Sequence, residues 1–374
     1  MKILFLSHWS GSGGAEKSLF ELIEFAHRVA GIPCACVVNR RGSLYDKLRA
    51  ANVPCYIVPY RWWVGEGLPR WKRMFRSLFN IPMTLAVAGI ILMTRSTLVY
   101  TNTYTICVGA FAAKLTGRRH IWHIRELFEN NTFDFGEALS KRLIDRLSDR
   151  VIVVSEAVAQ KYAEFVAPYK IIRIYNALRE ASRDHSPKTS TPESGRLVTV
   201  GYLKESKGHQ DAIRTVKILV DRGFDVNLHV VGDGDNEEFK QHLRHLAQEL
   251  GIADRVSFTG QLEDPRQEMQ AAEVVLMCSR AEAFGRVTIE AMLMGKPIVA
   301  AAGGATPEII EHGRSGLLYE PGNPEAAAEA VRSLLLDRET AAQLARYART
   351  TALLYYTFDR YFAEWLPVLD SLWS

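Results

Sequence analysis

Two four-residue apolar runs, Val274–Met277 and Ile298–Ala301, bracket an apolar helix pattern, and this arrangement restricts the fold of the chain more than any other feature. Each run is too short for a helix and continuous enough for a strand buried on both faces. Between them lie a polar loop, Cys278 to Phe284, and a helix expected from about Gly285 to Met294, closed by Gly295-Lys296-Pro297. Thr306 is expected to cap the next helix, with Pro307 at its first position. Strand, loop, helix and strand in so short a span form a βαβ unit, which implies a parallel sheet covered by helices. Glu290 is the odd member, because its helix neighbours are Val287, Ile289, Ala291, Met292 and Leu293. An unpaired carboxylate in such surroundings costs roughly several kcal/mol. The plain reading is an ion pair with Arg286 one turn earlier. The other is a ligand: open parallel sheets bind outside the carboxyl ends of their strands, and a helix start is an anion site.

The same alternation runs through the rest of the chain. Further strands are expected at Lys2–His8, Cys34–Asn39, Cys55–Pro59, Leu98–Thr101, His120–His123, Val151–Ser155, Ile171–Tyr175, Leu197–Gly201, Leu228–Val231 and Arg255–Gly260. At 374 residues the chain exceeds one typical domain. The polar, turn-rich residues 181–194 read as a linker between an N-terminal Rossmann-like domain, 1–180, and a C-terminal one, 195–356. Residues 357–374 read as an amphipathic closing helix. The fold class is therefore α/β. Five cysteines, an odd number without metal or disulfide spacing, and an N-terminus without a cleavage site make reduced thiols and a cytoplasmic location the expectation. Residues 1–180 carry 25 Lys+Arg against 14 Asp+Glu, whereas the remainder carries 21 against 28. So basic a front half suggests an anionic partner, and no nucleic-acid-binding motif accompanies it.

The loop and helix around Glu282 carry a resemblance. Glu282, seven residues, then Glu290, within EAFGRVTIEAMLMGKPIVA, followed by GGATPEII and HGRSGLLYEPGNPEAAAEAV, resembles the donor-site block of family-4 retaining glycosyltransferases. That likeness implies a GT-B fold, two Rossmann-like domains facing each other across a cleft, with the closing helix crossing back to the first. It implies that Glu282 holds the hydroxyls of a donor sugar and Glu290 the ribose. The diphosphate would rest on main-chain amides at Phe284, Gly285, Arg286, Val287 and Thr288. Gly13-Gly14-Ala15-Glu16 resembles the family's glycine turn, which puts Gly13 and Gly14 near the diphosphate. His123 matches a strand-end histidine near the sugar, and Gly260 a residue near the base. Lys207 matches one of two diphosphate-neutralising cations. Tyr202 stands where the family has the other, an arginine, and Lys204 is the candidate replacement. Asn176 resembles a structural asparagine closing the first domain.

The implied activity is hexose transfer from a nucleotide-diphosphate sugar to a hydroxyl of a glycan or lipid-linked acceptor. Such a reaction needs no cofactor, and Asp233-Gly-Asp235 is read as a turn rather than a metal site. Three rivals stand beside it: a nucleotide-sugar epimerase, a phosphorylase-like enzyme with lysine-bound pyridoxal phosphate, and a silent scaffold, which Tyr202 alone favours. One stretch breaks the alternation. Arg61-Trp62-Trp63 and the basic, aromatic run Pro69 to Phe79 precede an apolar run, Ile81 to Met93. Thirteen residues fall short of a bilayer. They read either as a core helix with a solvated basic end or as an interfacial segment. In the second case residues 61–79 meet an anionic membrane surface, Trp62, Trp63 and Trp71 lie at headgroup level, and Arg70, Lys72, Arg73 and Arg76 meet the lipid charge.

Overall fold

The computed structural model describes residues 1–11, 13–65, 69–127, 132–179, 192–262 and 264–373. Most of the expected linker, 181–191, lies outside them. The chain forms two compact units, Met1–Asn176 together with Tyr361–Ser374, and Ala177–Arg360.

In the first unit the strands are β1 (Ile3–Ser7), β2 (Cys34–Val38), β3 (Cys55–Ile57), β4 (Val64–Gly65), β5 (Leu98–Asn102), β6 (Arg119–Ile124), β7 (Thr132–Phe133), β8 (Arg150–Val153) and β9 (Ile171–Arg173). Seven form a parallel sheet in the order β3-β2-β1-β5-β6-β8-β9. Every residue of β1, β2 and β5 is buried, as a sheet covered on both faces demands. β1 lies between β2 and β5, with Ser7 opposite Asn102. The chain therefore leaves β1 on one side and returns on the other, which opens a crevice at its carboxyl end. The short antiparallel pair β4–β7 was not legible in the sequence.

The basic and apolar runs after β4 do not form separate segments. They make one helix, Arg70–Thr94, with Pro82 inside it on the exposed side. Val87, Ala88 and Ile91 join the core formed by Leu4, Leu6, Val37 and Val99. The helix is long and apolar enough to cross a membrane, but this face is fixed to the sheet. The closing helix, Phe358–Asp370, joins this unit from Tyr361 onward; its Trp365 is buried and donates to the Tyr100 hydroxyl at 3.3 Å.

His120 supplies a pH test. It is buried, its Nδ1 lies 2.9 Å from the Leu147 carbonyl and its Nε2 lies 2.8 Å from the Thr101 hydroxyl. Burial holds the imidazole down at about 4, against 6.5 when free. In that window the unfolded chain takes up a proton that the folded one refuses. Its contribution to stability is complete above about pH 6.5 and is lost as the pH falls toward about 4. Glu16 and Glu126, raised to about 7 mainly by burial, act the opposite way between their free value of 4.5 and about 7. Denaturant titrations of wild type and His120→Gln isolate the histidine. Wild type should lose about 1–3 kcal/mol more than the variant on acidification through that window. Parallel losses would contradict it.

The second unit holds β10 (Arg196–Val200), β11 (Asn227–Val231), β12 (Val256–Gly260), β13 (Val274–Met277), β14 (Ile298–Ala301) and β15 (Leu317–Tyr319), in the parallel order β12-β11-β10-β13-β14-β15. Its core joins Leu228, Val230, Leu276 and Val299 to Ile213, Val216 and Val331 of the covering helices. β10 and β13 are neighbours although two strands separate them in sequence, so this sheet also reverses its strand order beside its first strand. Thr306 is not the helix cap expected. Ala305 takes that place, because its N–H is drawn to the Glu282 carbonyl at 2.7 Å, and Thr306 and Pro307 form the first helical turn.

Candidate functional site

The reversal in the second unit brings two loops side by side. One, Gly201 to Gly208, follows β10; the other, Cys278 to Gly285, follows β13. They are tied at two points. The Arg280 N–H donates to the Ser206 carbonyl at 2.9 Å, and the Lys207 ammonium donates to Glu282 Oε2 at 2.6 Å. Both side chains of that pair keep some solvent contact, so the bond is open to exchange with a ligand. A third loop closes underneath. A Cβ on Gly303 would fall on the Arg280 carbonyl, and Gly304 adopts φ +57 against the Glu282 backbone.

Gly208 is another tight point, with φ +68 and no room for a Cβ beside the Cys278 carbonyl. Gly208→Ala combines left-handed strain with a backbone collision, and should cost about 2 kcal/mol or more. Urea denaturation checks this, and unchanged stability would contradict the packing of these loops.

The helix Arg286–Leu293 begins at Gly285, whose φ is +91. No side chain caps it, and no acidic residue lies in its first turn. Its Ile289 N–H reaches the Gly285 carbonyl at 3.3 Å, so the N–H groups of Arg286, Val287 and Thr288 precede the hydrogen-bonded ladder. N–H groups outside the helical ladder, a helix dipole and a neighbouring ammonium form an anion site. Glu290 accepts from Arg286 Nε at 3.2 Å, which is the plain reading of this carboxylate, and both side chains are only partly buried. Phe284 is buried against Tyr356 and supports the loop from below.

The remaining positions spread along the same edge. Lys204 is exposed, and no side-chain hydrogen bond or ion pair of it is found among the described residues. Tyr202 has a structural duty: its hydroxyl accepts from the Asp235 N–H at 2.8 Å and its carbonyl meets His209 Nε2 at 3.2 Å. Asp233 is engaged by Lys240 at 2.9 Å and by the Gly234 N–H at 2.8 Å. Gly260, at φ +72, ends β12 two strands from β10 and accepts from the Gly232 N–H at 3.0 Å. Arg280, absent from the sequence-based set, adds a half-exposed cation, held by the buried Asp211 at 3.3 Å. Only the folded loop shows it, since Asp211 lies 69 positions away.

At the carboxyl edge of the first unit a separate cluster forms. The helix Gly14–Arg28 starts at Gly13 without a side-chain cap, but Glu16 folds its carboxylate back to 2.6 Å from where a Gly13 Cβ would be. The chain's own carboxyl group thus occupies this helix start, in contrast to the one at Arg286. His8 Nδ1 lies 3.2 Å from Glu16. Burial raises Glu16 to about 7 and lowers His8 to about 4.

Arg125 sits among these groups and donates to Asn102 Oδ1 at 2.6 Å and to Asn176 Oδ1 at 2.5 Å. The His123 imidazole is fully enclosed and neutral, held low by burial and by Arg125. Nδ1 accepts from Arg125 at 3.3 Å and pairs with the Tyr100 hydroxyl at 2.7 Å, which leaves the proton on Nε2. One more strand residue, Ile124, follows it and closes the edge. Neither Glu16 nor Arg125 is in the sequence-based set, although the Gly-Gly-Ala-Glu run contains the first and the second lies two residues after His123.

Two parallel-sheet units, each with its loops gathered at a reversal of strand order, define a two-domain Rossmann-like protein of the GT-B kind. Residues 12–180 match the family model described as Glycosyltransferase Family 4, and residues 181–351 that of Glycosyl transferases group 1. The chain belongs to this glycosyltransferase family. It is 33% identical over 186 residues to a D-inositol 3-phosphate glycosyltransferase of Corynebacterium glutamicum, a match covering 47% of this chain and 44% of that protein. It is 30% identical over 226 residues to an N-acetyl-alpha-D-glucosaminyl L-malate synthase of Bacillus anthracis, covering 58% of each. The chain thus spans about half the length of these curated relatives. The solved structure of Anabaena HepE in complex with UDP and glucose superposes with a TM-score of 0.82 at 25% identity, over 99% of this chain and 100% of that one.

Proposed function

We propose that the protein transfers a hexose from a nucleotide-diphosphate sugar to an acceptor hydroxyl on a glycan or lipid-linked molecule, with retention at the anomeric carbon. One observation carries the reading: the Lys207–Glu282 pair stands beside the uncapped start of the Arg286–Leu293 helix, at the strand-order reversal of the second unit. The anomeric C–O bond breaks, and its electron pair passes to the leaving phosphate. Positive potential fixed in advance at that oxygen is what lowers the barrier. Lys207 supplies it, with Lys204 and Arg280 as outer cations and the amides from Phe284 to Thr288 as donors. Glu282 orients the sugar, and Glu290 holds the ribose by exchanging part of its contact with Arg286. The acceptor proton leaves with the phosphate oxygen on the same face.

A divalent ion has no assigned part, because Asp233, the first carboxylate of the Asp-Gly-Asp turn, is committed to Lys240. His123 and Gly13–Gly14 serve as positioning residues of the first unit, His123 through Arg125. Five free thiols agree with a cytoplasmic setting. The UDP carried by HepE supports a uridine donor.

The test incubates the protein with a panel of nucleotide sugars and candidate acceptors, and reads the anomeric configuration of the product by proton NMR. Retention is expected. An inverted product would remove the mechanism, and an epimerised sugar without acceptor would favour the epimerase reading.

A further inference from the structure

A cavity of about 750 Å³ lies wholly within the first unit, between the helices Arg70–Thr94 and Val108–Leu115 and the turn around Asp134. Met74, Leu78, Ile81, Leu85, Phe111 and Leu115 make most of its wall. Along the Arg70–Thr94 helix it runs from Arg70 to Leu85, about 22 Å by helical rise. Its mouth is different in kind. Arg70 and Arg73 stand there, and Asp134 is neutralised by Arg76. Arg73 gives one N–H to the Phe133 carbonyl at 3.1 Å, while its buried Nε meets no protein acceptor. Among the described residues of the helix's first turn none is acidic, so cations crowd the positive end of a helix dipole. A phosphate resolves that arrangement.

The apolar wall also continues outward. Leu78, Ile81, Leu85 and Leu115 are more than half exposed, and Trp71, Phe75, Leu92 and Met93 extend the stripe along the helix. A helix that turns one face to the sheet and leaves the other apolar and open is built to lie in an interface.

We propose that this groove holds one hydrocarbon chain of an anionic phospholipid-type molecule, with its phosphate on Arg70 and Arg73 and the exposed stripe in the bilayer interface. The buried Trp63, Cys107 and Asp134, which line the groove at its Arg70 end, lie on the loops after β3, β5 and β7. The mouth therefore opens on the carboxyl edge of the sheet that also carries Glu16 and Arg125. The lipid site deepens the reading of glycosyl transfer by making the acceptor membrane-borne; that step rests on the transferase reading, whereas lipid binding does not.

The test titrates a soluble short-chain phosphatidylglycerol, below its micelle concentration, into the full chain by calorimetry. Glycerol 3-phosphate and the matching phosphatidylcholine are the control ligands. Phosphatidylglycerol should bind roughly tenfold or more tightly than either, since chain burial and phosphate pairing add. Ser77→Trp, which fills the groove, and Leu115→Asp, which charges its exposed rim, should each weaken it by roughly tenfold or more. Arg70→Ala with Arg73→Ala should remove the preference over phosphatidylcholine. The melting shift given by UDP serves as a fold check and should survive in every variant. If Ser77→Trp does not fold, Leu115→Asp alone decides. Equal binding of glycerol 3-phosphate would mean a phosphate site without a chain. Unchanged affinity in the rim and filled variants, or binding to anionic vesicles without binding of the monomer, would mean surface charge alone. Either result overturns the proposal and leaves the donor site untouched.

Discussion

Lys207→Ala will lower the turnover number by roughly 100- to 1000-fold, the range seen when one preorganised donor to a developing anion is removed. The same variant will bind UDP more weakly. Both effects follow from position. The ammonium stands at the end of a tight turn, closed by Gly208 in the left-handed region, and projects toward the loop that precedes the uncapped helix. A positive charge fixed there stabilises the bound diphosphate and, more strongly, the leaving group that carries extra charge. Stability should change little, since an ion pair with both partners in solvent contact is worth about 1 kcal/mol or less. Arg is not an equal replacement. Lys207→Arg replaces a compact ammonium with a planar, wider head group beside Glu282, and should recover only part of the activity.

Glu282→Ala will separate the two roles of that pair. Transfer should fall by roughly 100- to 1000-fold, because the sugar loses the carboxylate that orients its hydroxyls. UDP affinity should hold or rise, because Lys207 is freed from the carboxylate at 2.6 Å and offers its whole charge to the phosphate. The contrast with Lys207→Ala, in which both quantities fall, is what a purely structural salt bridge could not give. Parallel losses in the two variants would show that the pair only holds the loops together. Glu282→Gln is the finer probe: it keeps a hydrogen-bond acceptor for the sugar and should lose less activity than alanine.

These two predictions depend on groups 75 positions apart in the chain, which shows where the sequence could be read and where it could not. Most strands of both sheets were legible as short, largely apolar runs of the kind a doubly covered sheet accommodates, whereas β15, three residues long, was not. The Glu282–Glu290 spacing was legible because loop and helix adjoin in sequence. The Lys207–Glu282 bond, and the Arg280–Asp211 pair beside it, exist only because β10 and β13 become neighbours at the reversal of strand order.

The Arg70–Thr94 helix was legible as a core helix with a solvated basic end, but its length was not, because its basic, aromatic first half and apolar second half look like different segments; Pro82 within it is tolerated on the exposed face. Thr306 and Pro307 read as a capped helix start, but the turn at Gly303 and Gly304 shifts the cap by one residue. The strand-end position of His123 was legible, but the Tyr100, Arg125 and Trp365 side chains around it come from elsewhere in the fold and were not. Tyr202 departs from the resemblance for a local purpose, as the hydroxyl that pins the turn at Asp235.

The account rests on a diphosphate bound in the second unit by Lys207 and the amides at the start of the Arg286–Leu293 helix. Calorimetric titration of UDP into wild type and Lys207→Ala measures that directly. Saturable one-to-one binding to wild type, weakened by roughly tenfold in the variant, is the predicted result. No binding to wild type by UDP or by any other nucleoside diphosphate, or equal affinity in the two proteins, would contradict it.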